Sequence, residues 1–346
     1  MNTPHIELNR TAVMTVPGTI EVQQLEVARP SGRQALVRIE AVGICGSDTA
    51  YYTVGRIGDY VVDGPLVLGH EVAGQVVAVG EDVQTIAVGA RVAIEPGTPC
   101  RDCQACHRGS YHLCSRLEFL ATPPYDGALA EFLLIDERNL FVMPDSMSYE
   151  EGALIEPLSV GIWAARRAQL APGDEVLVTG GGPVGLLAAS VALAFGAASA
   201  TVVDVNPARV DRARSRGCHG ATLLDDVGDR FDVLLECSGA DGVLDEAMHH
   251  LGLGGRAAAV GIAKKAQELS LDTLMPKELS IVMVNRYAHT WPTGIALVGS
   301  GRVEVASLVT HRYSLEQTEQ ALLAGRTHSD AIKAVVQPQL VEEDDR

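Results

Sequence analysis

The stretch Gly180-Gly-Gly-Pro-Val-Gly185 constrains the fold more than any other. It fits G-x-G-x-x-G, follows the apolar run Glu175-Val-Leu-Val-Thr179 and opens an apolar helical run that reaches Phe195. The pattern is common in isolation, but between a strand and a helix it specifies a turn in which each glycine has a task. Gly180 permits the tight turn, Gly182 lets the backbone approach a pyrophosphate, and Gly185 allows the helix to pack closely on the strand. The helix N-terminus then turns its free N–H groups toward the phosphates. The segment predicts the first unit of a dinucleotide-binding sheet.

The surrounding rhythm extends that reading. Ala200-Thr-Val-Val-Asp204, a helix opened by Pro207, Phe231-Asp-Val-Leu-Leu-Glu236, Arg256-Ala-Ala-Ala-Val260 and Ser280-Ile-Val-Met-Val284 alternate strand with helix. Such alternation implies an α/β fold with a doubly wound parallel sheet. Before residue 157 the pattern differs: short β-rich runs such as Ala35 to Val42, Val72 to Val79 and Arg91 to Ile94 are punctuated by Gly and Pro. These predict an antiparallel, barrel-like domain with long loops. After residue 287 come a helical stretch, the run Val303 to Val309, a helix from Leu315 and a final strand-like run, Ala331 to Val336, expected to return to the first domain. The expected division is therefore 1–157 with 287–346, and 158–286. The acidic end Glu342-Glu-Asp-Asp-Arg346 reads as solvated chain.

Composition excludes several classes of function. With 346 residues, 47% of them apolar, the chain has enough material for two cores. No apolar run approaches the roughly 20 residues of a membrane span, so no membrane partner is expected. The formal charge of −17 repels phosphate backbones and no basic run exceeds two residues, so nucleic acid is not an expected partner. The start MNTPHIELNR lacks a basic stretch followed by an apolar segment, and a reducing cytoplasm is the expected compartment. There, clustered cysteines bind metal more often than they form disulfides.

Asp204 follows Gly185 by 19 residues, at the end of the second strand of the parallel sheet. A carboxylate there accepts hydrogen bonds from adenosine ribose hydroxyls and repels a 2′-phosphate, which favours NAD over NADP. Arg209, one turn into the next helix, is a candidate to stack near the adenine or contact the ribose, and an arginine in that place is also suited to an NADP phosphate.

Four of the seven cysteines crowd into Cys100, Cys103, Cys106 and Cys114, spaced C-x2-C-x2-C-x7-C. Four thiolates meet the need of a closed, structural zinc site, and His107 and His112 inside the loop are not required as ligands. A reactive metal needs an open coordination position, and a scattered set offers one. Gly43-Ile-Cys-Gly-Ser-Asp48 supplies Cys45, Gly69-His-Glu71 supplies His70 and Glu71, and Leu154-Ile-Glu-Pro-Leu158 supplies Glu156. Taken singly each is weak, since a lone cysteine is ordinarily a buried apolar group.

Taken in order, those three segments, the four-cysteine lobe and the glycine turn make the chain resemble the zinc-dependent medium-chain dehydrogenases, in particular their polyol branch of sorbitol and xylitol dehydrogenases. Gly55-Arg-Ile-Gly58, Ala121-Thr-Pro-Pro124, Glu151 to Gly161, Arg286-Tyr287 and Thr290-Trp-Pro292 carry the branch likeness. The resemblance implies a GroES-like β-barrel catalytic domain beside a Rossmann domain, and two zinc ions per chain. Cys45, His70 and Glu71 become the ligands of the catalytic ion, with Glu156 close enough to act through a water or to enter the shell. Simple alcohol dehydrogenases of the superfamily carry a cysteine where Glu156 falls, and a carboxylate suits a substrate that brings two vicinal hydroxyls. Asp48 would orient His70 through its other ring nitrogen.

By the same resemblance Ser47 relays the substrate proton toward the cofactor ribose. Many relatives finish that relay with a histidine where this chain has Ala50, so beyond Ser47 a water chain or Glu156 is expected. Pro183, Val184, Val260, Val284 and Arg286 join the glycines, Asp204 and Arg209 as expected cofactor contacts. Tyr51, Phe119, Thr122, Glu156, Arg286 and Tyr287 are the expected substrate contacts, with Phe119 equally suited to core packing and Thr122 to shaping the turn before Pro123. The implied reaction is oxidation of a secondary hydroxyl of an alditol to a ketose with NAD. A vicinal diol or another sugar, such as 2,3-butanediol or galactitol, is the alternative substrate, and the branch is usually homotetrameric. A non-catalytic zinc protein that binds other macromolecules is the remaining reading, and the acidic charge and the second metal set argue against it.

Overall fold

The computed structural model describes residues 8–340. The acidic end from Glu342 to Arg346 lies outside them. The structure divides into two units: one runs to Glu156 and resumes at Val305, and the other is Pro157–Glu304.

The first unit is built on a seven-stranded sheet. Its path runs Leu140–Val142, Arg91–Ile94, Glu71–Val79, Gln34–Gly43, Lys333–Val336 and Val309–Tyr313, and Phe132–Asp136 also pairs with Gln34–Gly43. Most neighbours are antiparallel. The last two strands pair in parallel, with the helix Thr318–Thr327 as their crossover. A second, three-stranded sheet is formed by Thr19–Glu26, Leu8–Val16 and Leu66–Val67. Glu71–Val79 is flanked on both edges, and its apolar residues Val72, Ala73, Val76 and Ala78 are buried with Val37, Ile39, Ile94 and Leu129. Where Gln34–Gly43 shifts register near Ile39, Gly74 is needed: a Cβ there would lie 2.2 Å from the Arg38 carbonyl oxygen.

The second unit is a six-stranded, all-parallel sheet in the order His219–Ala221, Ser199–Val203, Glu175–Thr179, Phe231–Glu236, Leu251–Ala259, Ser280–Met283. Numbered along the chain this is 3-2-1-4-5-6, the doubly wound order with a switch point beside its first strand. Val176, Leu177 and Val178 in that first strand are wholly buried, as a strand covered on both faces requires. The helix Pro183–Ala194 is apolar but for Ser190 and buries Leu186, Leu187, Ala188, Ala189, Val191 and Ala192. Gly161 of the helix Ile155–Arg167 packs so near it that a Cβ would lie 3.0 Å from the Ala188 Cα.

One boundary differs from the sequence expectation. Residues 287–304, assigned above to the first domain, group with the parallel-sheet unit. Arg166 fixes them there, donating to the His289 carbonyl at 2.8 Å and to Thr293 Oγ1 at 2.9 Å. Arg216 adds a 3.0 Å ion pair to Glu304. An apolar helix such as Trp291–Gly299 has no periodicity that says which sheet it covers, and the anchoring arginines lie far away in sequence.

Candidate active site and metal centres

Cys45 caps the helix Gly46–Val54, and Asp48 in that helix's first turn ties two loops together. Asp48 Oδ2 accepts from the Cys45 N–H at 2.9 Å, and Oδ1 accepts from the Gly69 N–H at 3.0 Å. The same carboxylate stands 3.4 Å from His70 Nδ1, and it is wholly buried. Burial pushes the Asp48 pKa up, but His70 and the two N–H groups outweigh it and hold it below its ordinary value. With Nδ1 directed at Asp48, Nε2 is the ring atom of His70 left for a ligand.

Cys45, His70 and Glu71 each place one ligand atom within 4.8 Å of the others. Gly43 makes room for the last of them, since a Cβ there would lie 2.1 Å from Glu71 Oε2. Lys333, which sequence reasoning missed, grips both Glu71 oxygens at 2.7 and 2.8 Å and the Ile44 carbonyl oxygen at 3.0 Å. Both partners of this ion pair are buried. Burial works against the charge on Lys333, but Glu71, Cys45 and Glu156 overcome it and raise the ammonium pKa. Glu156 is buried in the first turn of its helix and acts electrostatically on Lys333, although it stands outside the three-residue group.

Those contacts test the implied metal. A thiol, an imidazole and a carboxylate converge, while Glu71 and Glu156 act on one buried ammonium and Asp48 faces His70. A divalent cation offsets the remaining negative charge, so the residues fit a zinc ion with an open position. Ser47 is half-buried, two residues from Cys45, and Ala50 offers no proton-carrying group. Tyr51 is buried in the same helix. Phe119 is buried with its ring centroid 5.8 Å from that of His70, which sets it against the metal group. Thr122 donates its N–H to the Phe119 carbonyl at 3.0 Å and accepts from Tyr125 N at 2.9 Å, so its backbone shapes the turn around Pro123 and Pro124.

The four-cysteine lobe gathers as a second group. Cys100, Cys103, Cys106 and Cys114 place their sulfurs within 4.8 Å of one another, and all are free thiols. Neighbouring sulfurs are 3.4, 3.5 and 3.9 Å apart. A tetrahedron with Zn–S bonds of about 2.3 Å has edges of about 3.8 Å, so the lobe fits a closed zinc shell. The Cys106 backbone N–H holds the Cys103 thiol down to about 6, while burial and the neighbouring sulfurs push the Cys106 thiol up to about 12. His107 is exposed, His112 is buried, and neither enters the group.

In the second unit the glycine turn adopts the geometry its sequence requires. Gly180 has φ 91°, and a Cβ on Gly185 would lie 1.8 Å from the Gly180 carbonyl oxygen. Gly182 caps the helix that Pro183 opens, and Pro183 and Val184 remain partly exposed in its first turn. Asp204 is locked beside them: Oδ2 accepts from the Gly181 N–H at 2.7 Å and Oδ1 from the Asn206 N–H at 2.8 Å. Arg209 approaches Asp204 Oδ2 only at 3.5 Å and stays partly exposed.

Val260 and Val284 follow the strands Leu251–Ala259 and Ser280–Met283 at the carboxyl edge of the sheet, the edge where open α/β sheets bind ligands. Glu236, also missed, closes this edge. Its Oε1 accepts from Ser238 N at 2.8 Å, Gly239 N at 2.9 Å and Thr179 Oγ1 at 3.4 Å. The visible signal was a carboxylate ending an apolar strand. Arg286 takes φ 56° after the last strand, and Tyr287 is buried edge-on to Trp291 at 6.1 Å.

Comparison with known proteins agrees with this layout. Residues 31–145 match the Alcohol dehydrogenase GroES-like domain family and residues 183–300 the Zinc-binding dehydrogenase family. The chain is 42% identical to sorbitol dehydrogenase of Bacillus subtilis (strain 168) over 344 residues, covering 95% of this chain and 97% of the relative. It is 37% identical to sorbitol dehydrogenase of Homo sapiens, with 90% and 91% covered. The crystal structure of 2R,3R-butanediol dehydrogenase from Bacillus subtilis superposes with a TM-score of 0.87 at 30% identity, covering 95% of this chain and 99% of that one. With a GroES-like domain, a Rossmann sheet, two fitted metal groups and relatives of this identity over nearly its whole length, the chain belongs to the zinc-dependent medium-chain dehydrogenases, oxidoreductases acting on CH–OH groups.

Proposed function

We propose that this chain is an NAD-dependent, zinc-dependent polyol 2-dehydrogenase that oxidises a secondary hydroxyl of an alditol to a ketose. The observation that carries the reading is the acid-rich site, in which Glu71 and Glu156 surround Lys333 beside Cys45 and His70. The sorbitol dehydrogenase relatives point the same way. When bound, zinc supplies Lewis acidity that eases loss of a hydroxyl proton near neutral pH, and NAD supplies the hydride acceptor.

The chain's residues then divide the work. Cys45, His70 and Glu71 hold the metal, Asp48 fixes the His70 ring, and Glu156 contributes directly or through a water. Ser47 takes up the substrate proton and passes it toward the cofactor ribose, with a water chain or Glu156 in place of the missing histidine at Ala50. The Asp204 oxygens keep lone pairs for the ribose hydroxyls after receiving two backbone N–H bonds, and their charge disfavours a 2′-phosphate. Gly180, Gly182, Pro183, Val184 and Gly185 cradle the pyrophosphate. Arg209, Val260, Val284 and Arg286 complete the cofactor contacts. Tyr51, Phe119, Thr122, Arg286 and Tyr287 read the rest of the polyol.

The lobe of Cys100, Cys103, Cys106 and Cys114 stiffens a long loop around its own zinc. Seven free thiols suit a reducing cytoplasm. No helix among the described residues is long and apolar enough to cross a membrane. The parallel sheet ends in the open edge strand Ser280–Met283, with Met275 and Met283 exposed nearby, a surface suited to assembly into a homotetramer.

The likeness to a butanediol dehydrogenase keeps a short vicinal diol as the second reading. A panel of alditols and diols assayed with NAD separates the two. An alditol is expected to give the highest kcat/KM, and a short diol preferred over every alditol by more than about tenfold, a margin of about 1.4 kcal/mol, would exclude polyol specificity.

A further inference from the structure

Three more ligand-bearing side chains converge in the first unit, outside both metal groups described above. His311 lies on the strand Val309–Tyr313, His328 follows the helix Thr318–Thr327, and Asp330 sits in the turn before Lys333–Val336. One ligand atom from each falls within 4.8 Å of the others. The two imidazole rings are 4.7 Å apart between centroids, and the His311 ring stacks nearly parallel on Tyr313 at 6.4 Å. His311 is half-buried, whereas His328 and Asp330 are exposed and open to incoming ions.

The hydrogen bonds around Thr310 bear on the tautomer of His311. Thr310 Oγ1 has one proton, which it donates to the Lys333 carbonyl at 3.3 Å. It accepts from the Ile332 N–H at 3.0 Å and stands 2.9 Å from His311 Nδ1. When the hydroxyl proton goes to the Lys333 carbonyl, Nδ1–H donates in that last contact. His311 Nε2 is then left with a free lone pair, the state in which an imidazole binds metal and the usual second partner of a ligand histidine. Two imidazoles and one carboxylate favour transition ions over Ca²⁺ or Mg²⁺, which take mainly oxygen ligands.

We propose that His311, His328 and Asp330 form a third metal site, which takes a divalent transition ion such as Zn²⁺, Ni²⁺ or Cu²⁺ with water completing its shell. The ion ties the segment before Lys333–Val336 to the strand Val309–Tyr313. The site stands independently of the polyol reading.

The test is calorimetric titration of the full-length, tag-free holoenzyme with NiCl₂ at neutral pH, with thermal unfolding followed in parallel. The expected result is one bound ion per chain beyond those already held, with a higher Tm. H328A and H311Q are expected to lose that ion while keeping the original zinc content and turnover. T310V, which keeps all three ligands but frees the tautomer, is expected to weaken binding by about tenfold or more. No additional ion in the parent protein would overturn the proposal, as would Ni²⁺ bound equally tightly by H328A and H311Q. Should H311Q fail to fold, the exposed H328A decides alone.

Discussion

Lys333 is buried with both Nζ–Glu71 contacts below 3 Å, and its other neighbours include Cys45 and Glu156. Removing one partner of such a pair strands the other charge in a place where water cannot reach it. K333M is therefore expected to lower stability by about 3–5 kcal/mol, read as a fall in Tm of the metal-replete protein. An unchanged Tm would mean that the metal alone compensates Glu71. At the cofactor turn, Asp204 offers a charge that a 2′-phosphate must meet. D204A is expected to shrink the NAD to NADP ratio of kcat/KM by about tenfold, the scale of one charge-assisted hydrogen bond, and an unchanged ratio would remove Asp204 from that task. Cys45, His70, Glu71 and Asp204 were legible because each sits in a short local motif. Lys333 was not, because 262 residues separate it from Glu71 and nothing local marks a lysine in an apolar strand as a partner.

At the scale of elements, a single buried carboxylate can tie one loop to another. Glu137, in the short turn Glu137–Asn139, uses Oε2 to accept from Gln84 N at 2.9 Å, Thr85 N at 2.8 Å and Thr85 Oγ1 at 2.6 Å. Arg33 stands 2.7 Å from Oε1 as an ion pair. The Thr85 hydroxyl and these N–H groups hold the Glu137 pKa below its usual 4.5. A depressed carboxylate binds fewer protons in the folded chain than in the unfolded one. Its stabilisation is therefore complete above pH 4.5 and fades as the pH falls through the folded value. E137Q is expected to cost roughly 2 kcal/mol near neutrality. Its Tm deficit should stay level from neutrality down to about pH 5 and narrow below pH 4.5, whereas a deficit independent of pH throughout would assign the loss to packing. The glycine turn and the strands of both sheets were legible as elements because their periodicity and punctuation are local. The allegiance of 287–304 was not, since it depends on Arg166 and Arg216 reaching across the fold.

At the scale of the whole molecule, a closed thiolate group and an open mixed group coexist in one chain, and only the open one has the ligand set for chemistry. The compact spacing of Cys100 to Cys114 makes the closed group conspicuous in the sequence. The dispersion of Cys45, His70, Glu71 and Glu156 over more than a hundred residues leaves the reactive group visible only through the motifs that carry the family likeness. Measuring zinc content and NAD-coupled alditol oxidation together, in the parent protein and in C45A, tests the separation of these two roles most directly. The parent is expected to hold a zinc ion at each of the two groups and to turn over. C45A is expected to fold, keep the zinc of the cysteine lobe, lose the other and show no turnover. A C45A protein that retained both ions and oxidised alditols at the parent rate would contradict the account.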